Sequence, residues 1–140
     1  MTNIAIIDDE EFYLSLLKSS LEYNCNVFVY KDPDEFIDEN INNFNKFDFI
    51  IVDIVYESRN IMSIGFSKLL RKNHFNKEII LYSNYKQNTM TLENHHFYDL
   101  FLEKSRGYSI DEIKTKLTKN RIHWKRRFQK LGIEPIIGNQ

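Results

Sequence analysis

Four apolar runs in this chain end in groups that could do chemistry together. Asn3-Ile4-Ala5-Ile6-Ile7 runs into Asp8 and Asp9, and Phe47 to Tyr56 carries Asp53. Glu78 to Tyr82 ends at Ser83, and Phe97 to Glu103 closes on Lys104. An apolar, β-branched run reads as a strand buried on both faces, as in a parallel sheet. A carboxylate there is costly unless it emerges at the carboxyl edge of the sheet, where open α/β folds place their ligands. Taken alone, Asp53 is either a chemical centre or a strand-end cap. Ser83 and Lys104, taken alone, are a turn hydroxyl and one half of a surface ion pair.

Together they say more. If the strand order is 2-1-3-4-5, the first and third strands are neighbours, so Asp8, Asp9 and Asp53 converge at one edge. Three carboxylates that close raise one another's pKa unless a cation sits among them. A hard, oxygen-liganded divalent ion, Mg2+ or Mn2+ with several waters retained, meets that demand. Ser83 and Lys104 add a hydroxyl donor and a fixed positive charge, so the constellation suits a phosphoryl group on a carboxylate.

The elements that must position these groups alternate. After the acidic cluster Asp8-Asp9-Glu10-Glu11, which suits a helix N-terminus, Leu14, Leu17 and Leu21 recur at helical spacing. Cys25 to Tyr30 is the second strand, with Val27 and Val29 on one face. Asp32-Pro33-Asp34-Glu35 starts a helix with Asp32 as cap, Pro33 in the first turn and Glu35 closing a capping box. Phe36, Ile37, Ile41 and Phe44 supply that helix's buried side. A third helix is expected around Ile64, Phe66, Leu69 and Leu70, and a short or irregular one between Tyr85 and His96. Ser109 with Glu112 forms a second capping box, opening a last helix whose stripe runs through Ile110, Ile113, Leu117, Trp124, Phe128 and Leu131 to a stop near Gly132. Five alternations of strand and helix predict an α/β, doubly wound, five-stranded parallel sheet with helices on both faces and an extended C-terminal helix.

Length fits one domain with a core of its own. The single cysteine, Cys25, cannot form an internal disulfide, and no apolar leader or long apolar span appears. Both features make a reduced, cytoplasmic setting the default expectation, with no membrane partner. The 19 basic and 20 acidic residues leave a net charge of −1, which argues against nucleic acid as a partner. Adjacent His95 and His96 do not share a helix face, and His74 and His123 have no ligand-spaced partners.

As an ordered set, Asp8-Asp9, Asp53, Ser83 and Lys104 at the ends of strands one, three, four and five resemble the receiver domain of two-component response regulators. The resemblance runs from about Asn3 into the last helix, giving a receiver domain over 1–120 and a helical extension and tail over 121–140. It implies a stand-alone, CheY-like, flavodoxin-like unit in which Asp53 is the phosphoacceptor, attacking a phosphohistidine on a sensor histidine kinase or a histidine phosphotransfer protein. Asp9 would be the main Mg2+ ligand, Asp8 would assist, and the Val55 backbone carbonyl would complete the set with Asp53. Lys104 would pair with Asp53 and then with the phosphoryl oxygens, Ser83 would hydrogen-bond them, and Phe101 would be the aromatic switch. The downstream target would be another protein. An alternative is a degenerate receiver acting through its long C-terminal helix without phosphorylation. That helix, from Ile110 to Leu131, would span roughly 33 Å at ~1.5 Å per residue, making Trp124, Phe128 and Leu131 a candidate partner or homodimer surface. The chain departs from the family pattern at Ser105, where proline is usual, at Asn84, where a small residue is usual, and at Tyr56-Glu57, where Met-Pro is usual.

Overall fold

The computed structural model describes residues 2–53, 62–83, 97–104 and 109–117. In chain order these form β1 (Thr2–Ile7), α1 (Glu11–Leu21), β2 (Cys25–Tyr30), α2 (Pro33–Asn40), a 3-10 turn (Phe44–Lys46), β3 (Phe49–Val52), α3 (Met62–Lys72), β4 (Glu78–Ser83), β5 (Leu100–Glu103) and α4 (Ser109–Leu117). All strand pairs are parallel, as the alternation predicts, and the order is β2-β1-β3-β4-β5, the one that makes β1 and β3 neighbours.

Strand alternation divides the apolar side chains between two layers. Ala5, Ile7, Ile50, Val52, Ile79, Leu81 and Phe101 face one core, which Phe36 of α2 and Phe66 and Leu70 of α3 cover. Ile4, Ile6, Phe49, Ile51, Ile80, Tyr82 and Leu102 face the other, covered by Leu14, Leu17 and Leu21 of α1 and Ile113 of α4. Both faces of β3 and β4 are therefore apolar, which is why their sequences run without polar alternation.

Local chemistry sets several boundaries. Asp32 caps α2 by accepting from the Glu35 N–H at 2.8 Å, with Pro33 in the first turn. Glu35 reaches back to the Lys31 N–H at 3.1 Å, one residue beyond the cap that a closed capping box would bond. The helix stops at Asn40, so Phe44 packs from the 3-10 turn and Ile41 is exposed; neither belongs to a buried stripe of α2. At the end of α3, His74 adopts φ 66°, the Phe75 N–H bonds Leu70 O and the His74 N–H bonds Arg71 O. That is a Schellman stop whose accompanying apolar contact is between fully buried Leu70 and Phe75. β3 and β5 are shorter than the apolar runs suggested. β5 begins at Leu100 because the Asp99 carboxylate takes the Ile79 N–H at 2.8 Å. The region 85–96, the junctions at Tyr56, Asn84 and Ser105, and the stripe Trp124, Phe128 and Leu131 lie outside the described residues.

The amino edge of the sheet is tied by buried charge. Arg71 Nη2 meets Asp99 Oδ2 at 2.9 Å, both side chains at most 3% exposed, while Arg71 Nη1 donates to Phe75 O and Lys77 O. Lys77 Nζ stands 3.6 Å from Asp48 Oδ1 and donates to Asn45 O, and Asp48 Oδ2 accepts the Asn3 N–H. Removing one member of a buried pair strands the other. Asp99→Ala is therefore expected to cost about 3 kcal/mol or more in urea unfolding. Charge removal at the exposed pair Lys31–Glu11 is expected to leave the midpoint in place.

Candidate functional site

The carboxyl edge is built by extending the ladder one residue past each strand. The Asp8 N–H donates to Tyr30 O at 3.0 Å, the Asp53 N–H to Ile7 O at 3.0 Å, and the Lys104 N–H to Ser83 O at 2.6 Å. Each reactive side chain thus leaves a backbone already fixed to the adjacent strand. The β1–β3 pairing matches Ile7 with Val52, so Asp8 and Asp53 emerge side by side.

Lys104 is the hub. Its side chain is 0% exposed, and Nζ stands 2.6 Å from Asp8 Oδ2, 3.4 Å from Asp53 Oδ1 and 3.4 Å from Glu10 Oε2. The expected pairing with Asp53 is present, but the tighter partner is Asp8. Asp8 is itself buried, and its Oδ1 accepts the Glu10 N–H at 2.9 Å. Ser83 is fully buried at the end of β4. Phe101 is buried against Tyr98, with ring centroids 6.1 Å apart. Val55 lies outside the described residues.

Two neighbours were not singled out from the sequence. Glu10 reads there only as a helix-start acid, and its contact with Lys104 spans 94 positions. Tyr13 places its ring centroid 4.1 Å from Lys104 Nζ. Its spacing of four from Leu17 is the one sequence signal that it faces the sheet.

Carboxylates outnumber cations here, and the protonation equilibria follow. Burial pushes the Asp53 carboxyl up to about 7, helped by the Asp8 and Asp9 charges and opposed by Lys104. Burial also raises Asp8, against the hydrogen bond from Lys104. For Lys104, burial favours the neutral amine, but the hydrogen bond to Asp8 and the charges of Asp53, Asp8 and Glu10 outweigh it and raise its pKa. Carboxylate oxygens of Asp8, Asp9 and Asp53 lie within 4.8 Å of one another. Oxygens sharing one Mg2+ at ~2.1 Å stand at most about 4.2 Å apart, so a small closure would bring these three within ligand distance. An all-oxygen donor set of three crowded carboxyl groups suits a hard divalent cation.

No protein-family model matches the sequence, and no curated protein matches it. Solved structures do. The response regulator TrrA from Thermotoga maritima, in complex with Mg(2+)-BeF, shares 25% identity over 84% of this chain and 96% of its own, with a TM-score of 0.68. TrrA in complex with histidine kinase ThkA aligns at 23% identity, covering 85% and 100% of the two chains, TM-score 0.67. A two-component response regulator from Clostridium difficile aligns at 20% identity over 94% of this chain and 98% of its own, TM-score 0.69.

The raised Asp53 carboxyl has a signed effect on stability. Between about pH 4 and pH 7 the folded chain holds a proton that the unfolded chain has released, so this group's contribution falls as pH rises through that window. Asp53→Asn is expected to unfold at higher denaturant than wild type at pH 8 in chelator, by up to about 4 kcal/mol, with the margin closing towards pH 4. Equal midpoints at both pH values would show that Asp53 is not held protonated by its surroundings. With its parallel order β2-β1-β3-β4-β5 and its likeness to TrrA across most of its length, the chain has the fold of CheY-like response-regulator receiver domains.

Proposed function

We propose that residues 1–120 act as a single-domain response regulator that takes a phosphoryl group onto Asp53 from a histidine kinase or histidine phosphotransfer protein and signals by protein–protein contact. The observation that carries this reading is the buried Lys104 ammonium shared between Asp8 and Asp53 at the carboxyl edge. A structural cap on β3 would need no lysine drawn into a fully buried position by three carboxylates. The Mg(2+)-BeF complex of TrrA and its complex with a histidine kinase support the extension to phosphotransfer.

The chain's own residues divide the work. An ionised Asp53 oxygen attacks the phosphorus, the P–N bond of the phosphohistidine breaks, and the leaving imidazole takes a proton, giving an acyl phosphate on Asp53. Near neutral pH a substantial fraction of Asp53 is ionised, so the nucleophile is available without a separate base. Lys104, already 3.4 Å from Asp53 Oδ1, exchanges a carboxylate contact for a phosphoryl oxygen, and the Ser83 hydroxyl donates to another. A divalent cation held by Asp8, Asp9 and Asp53, with the Val55 carbonyl, would neutralise charge on the transferring group. Phe101, packed beside Tyr98 at the β5 end, is the side chain to follow the Ser83 contact. The 121–140 extension, through Trp124, Phe128 and Leu131, carries the partner surface.

Acetyl phosphate with Mg2+ is expected to place one phosphoryl group on wild-type protein, read by intact-mass spectrometry at neutral pH. Asp53→Asn or excess chelator abolishes it, and Lys104→Met lowers the initial rate at least tenfold. Absence of label from acetyl phosphate, phosphoramidate and a phosphorylated histidine donor alike would overturn the reading.

A further inference from the structure

Lys104 is surrounded on more sides than its hydrogen bonds account for. Its three N–H groups face Asp8, Glu10 and Asp53, and the Tyr13 ring lies with its centroid 4.1 Å from Nζ. The Tyr82 ring stands further away, at 5.8 Å. We propose that Tyr13 is a positioning residue for Lys104, holding the ammonium within reach of Asp53 through its ring face. This inference rests on the proposed role of Asp53.

The physical case begins with competition. Asp8 holds Nζ at 2.6 Å while Asp53 is at 3.4 Å, so hydrogen bonding alone draws the cation towards β1 and away from the phosphoacceptor. A fourth carboxylate in place of the ring would compete for one of three donors and deepen the negative excess. An aromatic face attracts the cation through its quadrupole and consumes no N–H, leaving all three donors for oxygen. The attraction is strongest where water is excluded, and the Lys104 side chain is fully buried.

The ring is fixed in turn. Tyr13 meets Tyr82 edge to face at 5.9 Å and 89°, and Phe12 at 5.1 Å and 85°. Its own N–H bonds Glu10 O at 3.0 Å, which locks it into the first turn of α1, one turn from the Glu10 carboxylate that also meets Lys104. Tyr82 is buried and immediately precedes Ser83, so the same aromatic pair joins the strand carrying the hydroxyl to the helix holding the lysine. Lysine has a flexible four-carbon stem, and restricting that stem is what a positioning residue does.

The test uses full-length protein with Tyr13→Phe and Tyr13→Leu. In 13C-resolved proton spectra the Lys104 ε-methylene, assigned by its loss in Lys104→Arg, is expected upfield of the other lysines in wild type and Tyr13→Phe. It returns to the ordinary lysine position in Tyr13→Leu. The initial rate of labelling by acetyl phosphate with Mg2+ falls about tenfold in Tyr13→Leu and is restored in Tyr13→Phe. If Tyr13→Leu fails to fold, judged by amide dispersion, Tyr13→Met keeps a long apolar side chain and carries the same comparison. An ordinary ε-methylene shift in wild type, or wild-type labelling in the folded aliphatic variant, overturns the role of Tyr13 while phosphorylation of Asp53 stands. An upfield shift lost in Tyr13→Leu, with no labelling of wild type by any donor, supports Tyr13 as the holder of Lys104 and overturns the function proposed for Asp53.

Discussion

A lysine ammonium removed from water needs counter-charge close by, and at the carboxyl edge of this sheet it has an excess. Asp8, Glu10 and Asp53 all lie within 3.4 Å of Lys104 Nζ, with Asp9 beside them. The imbalance governs the rest of the site. It adds to burial, the larger cause, in driving the Asp53 carboxyl towards neutrality, strengthens the hold on the lysine proton, and leaves a residual negative field that a divalent cation would relieve. It acts between elements distant in sequence, since Lys104 follows β5 while Asp8 follows β1.

The opposite edge handles charge differently. Arg71, Asp99, Lys77 and Asp48 are also buried, but there each base has a carboxylate partner, and Arg71 Nη1 and Lys77 Nζ also donate to backbone carbonyls. Such a network fixes how α3 and the start of β5 meet β4. The two ends of one sheet therefore use the same residue types for opposite purposes, rigidity at the amino edge and unmet charge at the carboxyl edge.

Much of this was legible in the chain. Uninterrupted runs such as Phe49 to Val52 announce strands buried on both faces, and their alternation with helical stripes announces a doubly wound parallel sheet. Asp8, Asp9, Asp53, Ser83 and Lys104 are visible because each ends such a run. Local signals failed where a contact depends on distant chain. Glu10 and Tyr13 join the site only because the start of α1 meets Lys104, which follows β5. Asp99 shortens β5 because it answers an arginine on α3. Ile41 looks like core by periodicity, yet α2 ends before it. These are tertiary outcomes, and no window of ten residues contains them.

One feature of the ladder reaches beyond the residues themselves. Neighbouring strands stand about 4.8 Å apart whatever their sequence, and Asp8, Asp53 and Lys104 are each bonded through the backbone to the strand next door. The sheet therefore works as a ruler, and the gap between acids on β1 and β3 is a property of peptide geometry, not of side-chain choice. Sequence can drift widely in such a scaffold while the gauge stays constant. What cannot drift is count: one residue inserted within β1 would advance Asp8 by about 3.3 Å and turn it to the other face.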